Sequence, residues 1–282
     1  MINLIFWNAD INDKCKSSVE KNHNIDKTII DLIDENKCDI LVLAEYDLDI
    51  NALCDKISLL GTNFKIGPIA EDVRVKFLYN SRFKVELIRD SNYYFICNIA
   101  NYLEFNFLLA GVHFPSKSKA NSKDIGLTGG DLIKDIHEAE ESVEHKNVIM
   151  IGDFNSAPFE DVMIDADKIH AIPYADIVEK KEKRIVYGKE RQMFYNPMWN
   201  FVGESCDPNF TYCYNAGGAV NFYRYILDQV ILSPKMIKYF SKSSLKILTK
   251  AKSNTLLNEK GEPDKKTYSD HLPISFNIKE EM

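Results

Sequence analysis

The sequence predicts an α/β protein built as a four-layer α/β sandwich: two packed, mostly antiparallel sheets flanked by helices. Two observations carry that expectation. Between residues 73 and 113, four apolar segments follow one another with only short polar connections such as Asn80-Ser81-Arg82, the mark of hairpins and meanders. On either side of this run, segments of helical periodicity lie between isolated strands. The alternative, a doubly wound parallel sheet, needs a helix between nearly all its strands, and the 73–113 run does not supply them.

The chain opens with a strand over residues 2–8. It has no basic segment before it and is interrupted by Asn8 and Asp10, so it does not read as a signal peptide. A helix is expected over 24–36, where Ile25, Ile29, Ile30, Leu32 and Ile33 group on one side. Asp39 to Glu45 is almost continuously apolar, as a strand buried on both faces would be. Strands follow at Val73–Tyr79, Lys84–Arg89, Tyr93–Ala100 and Phe105–His113, then a charged helix over 122–145. The apolar stretch from Asn147 to Met150 leads into Ile151-Gly152-Asp153-Phe154-Asn155. From about 157 to 222, Gly, Pro and aromatic residues mix, which predicts a long irregular region. Tyr225–Leu232 reads as a strand, Lys235–Phe240 as a short helix, and Leu245–Leu248 and Leu272–Ile278 as the closing strands.

No repeat and no Pro/Gly/Ser-rich linker divides the 282 residues, so one domain over 1–282 is expected. A hydrophobic fraction of 45% suits a substantial core, and no apolar run is long enough to span a membrane, which favours a cytoplasmic location. Cys15, Cys38, Cys54, Cys97, Cys206 and Cys213 form no Cys-x-x-Cys pair and read as reduced thiols rather than zinc ligands or disulfides. The net charge of −7 argues against broad electrostatic binding to nucleic acid. It leaves room for a nuclease in which a few local cations and a bound metal hold the phosphate. No fused domain points to a protein partner.

The chemistry-bearing residues sit at strand ends, where a sheet presents polar groups to a common rim. Asn8 and Asp10 follow Leu4-Ile5-Phe6-Trp7, and Glu45 follows Ile40-Leu41-Val42-Leu43-Ala44. Their oxygens are hard ligands suited to magnesium or manganese, although each alone also reads as a turn or salt-bridge residue. His113 ends an apolar strand that Pro115 stops; a lone histidine there is more often structural. Asp153 and Asn155, two residues apart past a strand, offer a proton acceptor and an amide donor to one reacting group. Asp228 interrupts an apolar strand, and a buried carboxylate needs a partner. Asp270 and His271 precede the last strand; Asp228 is placed to orient His271 and favour its imidazolium.

Taken together, Trp7-Asn8-Ala9-Asp10, Leu43-Ala44-Glu45, Gly111-Val112-His113, Gly152-Asp153-Phe154-Asn155, Leu227-Asp228 and Ser269-Asp270-His271 resemble the motifs of the endonuclease/exonuclease/phosphatase, or deoxyribonuclease-I-like, superfamily. The resemblance runs from residue 7 to residue 271 and implies the same four-layer sandwich. It implies a divalent metal on Glu45, with Asn8, Asp10 and Asp270 at or near it. It assigns Asp153 to the attacking water, Asn155 to the scissile phosphate, and His271, supported by Asp228, to the phosphoryl oxygens. His113 stands where some branches carry histidine and others tyrosine.

The reading that follows is metal-dependent hydrolysis of a phosphate ester, first as a nuclease on DNA or RNA. A phosphatase or phosphodiesterase acting on a small-molecule or lipid-headgroup phosphoester is the second reading; no exposed apolar hairpin or amphipathic basic helix stands out to favour the lipid version. A binding protein that kept the fold and lost catalysis is a third, opposed by a competent residue at every catalytic position. Lys180, Lys181, Lys183, Arg184, Lys189 and Arg191, interleaved with Tyr187, Phe194, Tyr195, Trp199 and Phe201, suit a nucleic-acid strand, or else a solvated charge run over a small aromatic core. Arg74 and Arg224 are candidates for phosphate contact.

Overall fold

The computed structural model describes residues 1–11, 17–70, 72–103, 105–215 and 219–280. One sheet contains β1 (Ile2–Ile11), β2 (Ile40–Tyr46), β3 (Phe64–Ile66) and β4 (Val75–Asn80), joined by β16 (Lys246–Ile247) and β19 (Ile274–Ile278), in the order β16-β19-β1-β2-β4-β3. The other contains β5 (Lys84–Ser91), β6 (Tyr94–Ala100), β7 (Asn106–His113), β8 (Val148–Asp153), β9 (Ala171–Ile172), β12 (Phe194–Tyr195) and β15 (Asp228–Leu232), in the order β5-β6-β7-β8-β15-β12-β9. Short hairpins pair β10 (Lys183–Val186) with β11 (Lys189–Gln192), β13 (Tyr212–Cys213) with β14 (Arg224–Tyr225), and β17 (Lys250–Ala251) with β18 (Asn254–Thr255). Most pairings are antiparallel, but β1–β2, β7–β8 and β9–β12 are parallel. The first two are bridged by crossover helices, α1 (Val19–Asn36) and α3 (Ser122–Val143), as parallel neighbours require.

Period-two alternation assigns the layers. Ile2, Leu4 and Phe6 of β1 join Ile149 and Ile151 of β8 in the core between the sheets. Ile5 and Trp7 turn the other way, beneath α1 and α2 (Ile50–Ser58), while Val148 and Met150 pack under α3. A strand with apolar layers on both faces must read as a continuous apolar run, which is why β1, β2 and β8 do. Between the sheets Phe77 stacks on Phe95 with centroids 4.7 Å apart. Two glycines make the room: a Cβ on Gly67 would stand 2.1 Å from the Phe77 ring, and one on Gly111 would stand 2.2 Å from Phe95.

Helix α1 starts five residues earlier than its apolar periodicity suggests, because Ser18 caps it by accepting a hydrogen bond from the Lys21 amide. Helix α3 begins with a capping box between Asn121 and Asp124. Helix α2 is absent from the sequence reading: Ile50, Leu53, Cys54 and Ile57 keep helical spacing, but the period runs for only nine residues. The 157–222 region is not one loop. It holds α4 (Asp161–Ile164), α5 (Ala175–Lys181) and several short strands. Among the described cysteines, Cys38, Cys54, Cys97, Cys206 and Cys213 are unpaired; Cys15 lies outside the described residues. No helix among the described residues is long and apolar enough to cross a membrane.

The β10–β11 hairpin does present exposed apolar groups, Ile185 at 75% and Tyr187 at 97% exposure, contrary to the sequence-based expectation that no such hairpin exists. Its position settles its bearing on the site. β15 pairs with β8 so that Asp228 faces Asp153 at one end and Leu232 faces Ile149 at the other. Tyr195 of β12 pairs with Leu232, and the amide of Met193 donates to Glu182 just before it. The hairpin therefore hangs from the end of the sheet opposite Asp153.

Candidate active site

One geometric rule collects the strand-end residues. Parallel neighbours bring their C-terminal ends to the same rim, and an antiparallel neighbour brings its N-terminal end there. So β1, β2, β7 and β8 deliver Asn8, Glu45, His113 and Asp153 as they finish, while β15 delivers Asp228 as it starts and β19 is preceded by Asp270 and His271. The ladder register sets His113 beside Asp153 and Asp153 beside Asp228. All three continue the alternation of the inter-sheet core: Leu109 and Gly111 lead to His113, Ile149 and Ile151 to Asp153, and Leu232 and Val230 to Asp228. The cluster is thus the polar crown of that core.

Gly152 is required beneath it. A Cβ there would meet the Val112 carbonyl oxygen at 2.0 Å, and the two residues are partners in the β7–β8 ladder. On the other sheet the β1–β2 register shifts after Asn8, and Asp10 and Glu45 take left-handed conformations with φ of 50° and 48°. Such an irregularity re-aims side chains at a sheet rim. Asn155 is also left-handed, at φ 48°, a conformation asparagine tolerates better than glutamate does.

Asp153 is 1% exposed. Its Oδ2 accepts from Asn8 Nδ2 at 3.0 Å and Asn155 Nδ2 at 3.2 Å, and its Oδ1 accepts from the Asn155 amide at 2.8 Å. The Nε2 atoms of His113 and His271 each lie 3.9 Å from Oδ2. Burial pushes the Asp153 carboxyl above its ordinary value and Asp228 adds to this, while His271 and His113 pull it back. His113 Nε2 also lies 3.1 Å from Glu45 Oε1, and its buried Nδ1 has no hydrogen-bond partner among the described residues.

His271 is fixed on every side. Its Nδ1 lies 2.8 and 3.1 Å from the two oxygens of Asp228, its carbonyl accepts from Trp7 Nε1 at 2.9 Å, and its ring packs 4.7 Å from that of Tyr212. Ser269 Oγ accepts from the His271 amide and donates to the Asn8 carbonyl, tying the segment before β19 to the end of β1 in the same sheet. Burial opposes a charged imidazole here, but Asp228 and then Asp153 outweigh it and raise the His271 pKa to about 10. Asp228, fully buried, receives its amide's support from Thr211, whose Oγ1 accepts from the Leu227 and Asp228 amides.

A second acidic group lies alongside. Lys265 Nζ stands 2.5 Å from Asp270 Oδ2 and 3.6 Å from Asp10 Oδ2, and Lys21 Nζ is 2.9 Å from the same Asp10 oxygen. Burial and the nearby Asp270 raise the Asp10 pKa, while Lys21 and Lys265 lower it. The Lys265 ammonium marks a place where positive charge is favoured between two hard-oxygen donors, so Asp10 and Asp270 fit a divalent cation. Glu45, Asp10 and Asp270 do not come within 4.8 Å of one another as a trio; among the described residues Asp153, Asp228 and His271 do. That trio is already an internal ion pair, with His271 Nδ1 committed to Asp228, which makes it a poorer cation site than the half-buried Asp10–Asp270 pair.

Lys21, Lys265, Thr211 and Tyr212 were not among the sequence-predicted residues, and no spacing singles them out. Arg74 and Arg224 stand on the rim, exposed, their guanidinium groups over the rings of Tyr93 and Phe210 at 5.3 and 5.0 Å. Neither is hydrogen-bonded to the cluster among the described residues. The basic stretch from Lys180 to Arg191 lies on the far rim with its hairpin, apart from Asp153.

Two helix-flanked sheets with an acid–imidazole cluster on a shared rim define the class of molecule. Comparison with solved structures gives the particular fold. The chain aligns with the catalytic domain of human nocturnin at a TM-score of 0.58 and 17% identity, over 99% of this chain and 94% of that one. It aligns with a mannosyl-6-phosphatase of Bacteroides thetaiotaomicron at 0.62 and 12% identity, over 99% and 100%. With an endonuclease/exonuclease/phosphatase family protein of Leptotrichia buccalis the values are 0.58 and 14%, over 99% and 100%. No family model matches the sequence, and no curated protein does. The fold is that of the endonuclease/exonuclease/phosphatase superfamily.

Proposed function

We propose that this protein hydrolyses phosphate esters, with a phosphodiester of DNA or RNA as the first substrate class and magnesium or manganese as cofactor. The observation that carries the reading is the surroundings of Asp153: one buried carboxylate with two histidine Nε2 atoms 3.9 Å away, one of them on a histidine whose pKa is raised to about 10. A proton acceptor beside a cationic donor is what in-line attack of water on phosphorus needs. Asp153 orients the water and takes its proton; Asn8 and Asn155 hold the carboxylate and keep its second oxygen aimed. His271, as imidazolium, donates from Nε2 to a phosphoryl oxygen while Asp228 holds Nδ1, and His113 supplies a second donor. Asp10 and Asp270 would hold a divalent cation, with Glu45 on the same rim, and the cation would supply charge neutralisation at the phosphate.

A second reading, hydrolysis of a small phosphoester, is favoured by one observation: the basic stretch expected to track a nucleic-acid backbone lies on the rim away from Asp153. A panel of plasmid, single-stranded DNA, RNA, bis(p-nitrophenyl) phosphate and sugar or inositol phosphates, each with magnesium or manganese, separates the two. Asp153→Asn keeps shape and removes the acceptor, so turnover on any active substrate should fall by about a thousandfold with the thermal midpoint retained. Activity near wild type in that variant sinks the assignment.

A further inference from the structure

A cavity of ≈ 490 Å³ opens beside the catalytic rim, and its walls grow directly out of the catalytic strands. Ala157 lies two residues after Asn155, and Ile226 lies two before Asp228. Two residues of extended chain reach at most about 7 Å, so a group in the cavity is within one short linkage of a phosphate at Asp153. The walls are aromatic. Phe159 packs on Phe222 at 5.1 Å, Phe222 on Tyr225 at 6.1 Å, and Arg224 and Tyr223 complete the mouth.

These rings are held open rather than buried. Phe222 is 55% and Tyr223 61% exposed, although each is pinned by its backbone. The Phe222 amide donates to Tyr225 Oη at 3.0 Å, the Tyr223 amide donates to Asn221 Oδ1 at 2.8 Å, and Tyr223 sits in a left-handed conformation at φ 60°. Arg224 is equally placed, with Nη1 donating to Asn209 Oδ1 at 3.1 Å and its plane over Phe210. Exposed, ordered aromatic faces beside a planar cation suit a flat ring that stacks and offers hydrogen-bonding edges. An acyl chain gains nothing from Arg224. A sugar would call for more carboxylates and amides than Glu204 and Asn209 provide. The volume lies in the range of small-molecule sites.

We propose that this cavity is a nucleobase subsite, receiving the base of the nucleotide whose phosphate is cleaved at Asp153; it rests on the hydrolase reading above. The full chain carrying Asp153→Asn, so that ligand persists, is titrated with a dinucleotide containing 2-aminopurine, whose fluorescence falls on stacking. The expected result is quenching, with affinity reduced roughly tenfold in Phe222→Ala and also in Phe222→Leu, which fills the space without a ring. Unchanged affinity and quenching in Phe222→Leu overturn the subsite. A single-stranded 12-mer bound more tightly than the dinucleotide assigns the base to a strand, and equal affinity assigns it to a small nucleotide; both support a base subsite. In parallel, wild-type protein is assayed on the p-nitrophenyl esters of thymidine 5′-phosphate and of methyl phosphate. Phe222→Ala should lower the ratio of their kcat/KM values about tenfold, and an unchanged ratio counts against the subsite. Failure to cleave either ester with metal present overturns the hydrolase reading, which the binding titration then tells apart from failure of the subsite.

Discussion

Replacing Asp228 with asparagine tests the electrostatics of the cluster most directly. Asparagine keeps the shape and still accepts from His271 Nδ1, now 2.8 Å from the carboxylate, but removes the charge. Burial alone would lower the His271 pKa; Asp228 is the largest cause raising it to about 10, with Asp153 next. Without Asp228 the imidazole should titrate near or below its ordinary 6.5. At pH 8 the protonated fraction then falls from nearly complete to about one thirtieth. If imidazolium is the donor, kcat/KM of the variant on bis(p-nitrophenyl) phosphate should be about thirtyfold lower at pH 8 than at pH 5, whereas the wild-type alkaline limb should lie near 10. Stability follows the same sign. A histidine raised on folding contributes stability that is complete below 6.5 and is lost as pH rises towards 10, so the wild-type protein should lose stability over that window and the variant should not. Breaking a buried pair by removing one charge should also cost about 3 kcal/mol at pH 6. NMR titration of the His271 ring reads the shift without any substrate. An alkaline limb that stays near 10 in Asp228→Asn, or an unmoved ring titration, refutes the reasoning.

The remaining expectations concern the backbone and the cation. Gly152→Ala drives a Cβ against the Val112 carbonyl oxygen, a contact of 2.0 Å that only a broken β7–β8 ladder relieves. Urea unfolding should show a loss of about 3 kcal/mol, and a loss below 1 would show that the strands slide apart freely. Chelation with EDTA should abolish hydrolysis and added manganese restore it; activity that survives chelation removes the metal from the reaction. A divalent cation between Asp10 and Asp270 must displace Lys265. Calorimetric manganese affinity should therefore rise about tenfold in Lys265→Gln and stay near wild type in the exposed control Lys134→Gln, and equal changes in both would refute local competition.

The rim was legible in the sequence because each of its members ends or begins an apolar strand, and such strands are written as continuous runs. Asp153, Asp228 and His113 continue the two-residue period of the core that carries them, so their burial is predictable one strand at a time. Their mutual distances are not, since these depend on which neighbours run parallel. The cationic side of the site was illegible for a related reason. Lys265 meets Asp10 across most of the chain, through a long side chain with no period of its own. The basic stretch after Asn155 left two readings open because nearness in sequence says nothing about which rim a hairpin hangs from; the pairing of Tyr195 with Leu232 decides that. Helix α2 was missed because its period runs for only nine residues, and the early start of α1 was a matter of one serine.

The far-rim hairpin has a practical consequence. Tyr187 and Gly188 turn it with φ of 48° and 77°, both left-handed, as a tight two-residue connection requires. The turn stands in solvent and shares no wall with the site. A fluorophore, an affinity tag or a surface tether installed there would leave the mouth facing outward, so a single immobilised orientation could present the whole catalytic rim to substrate.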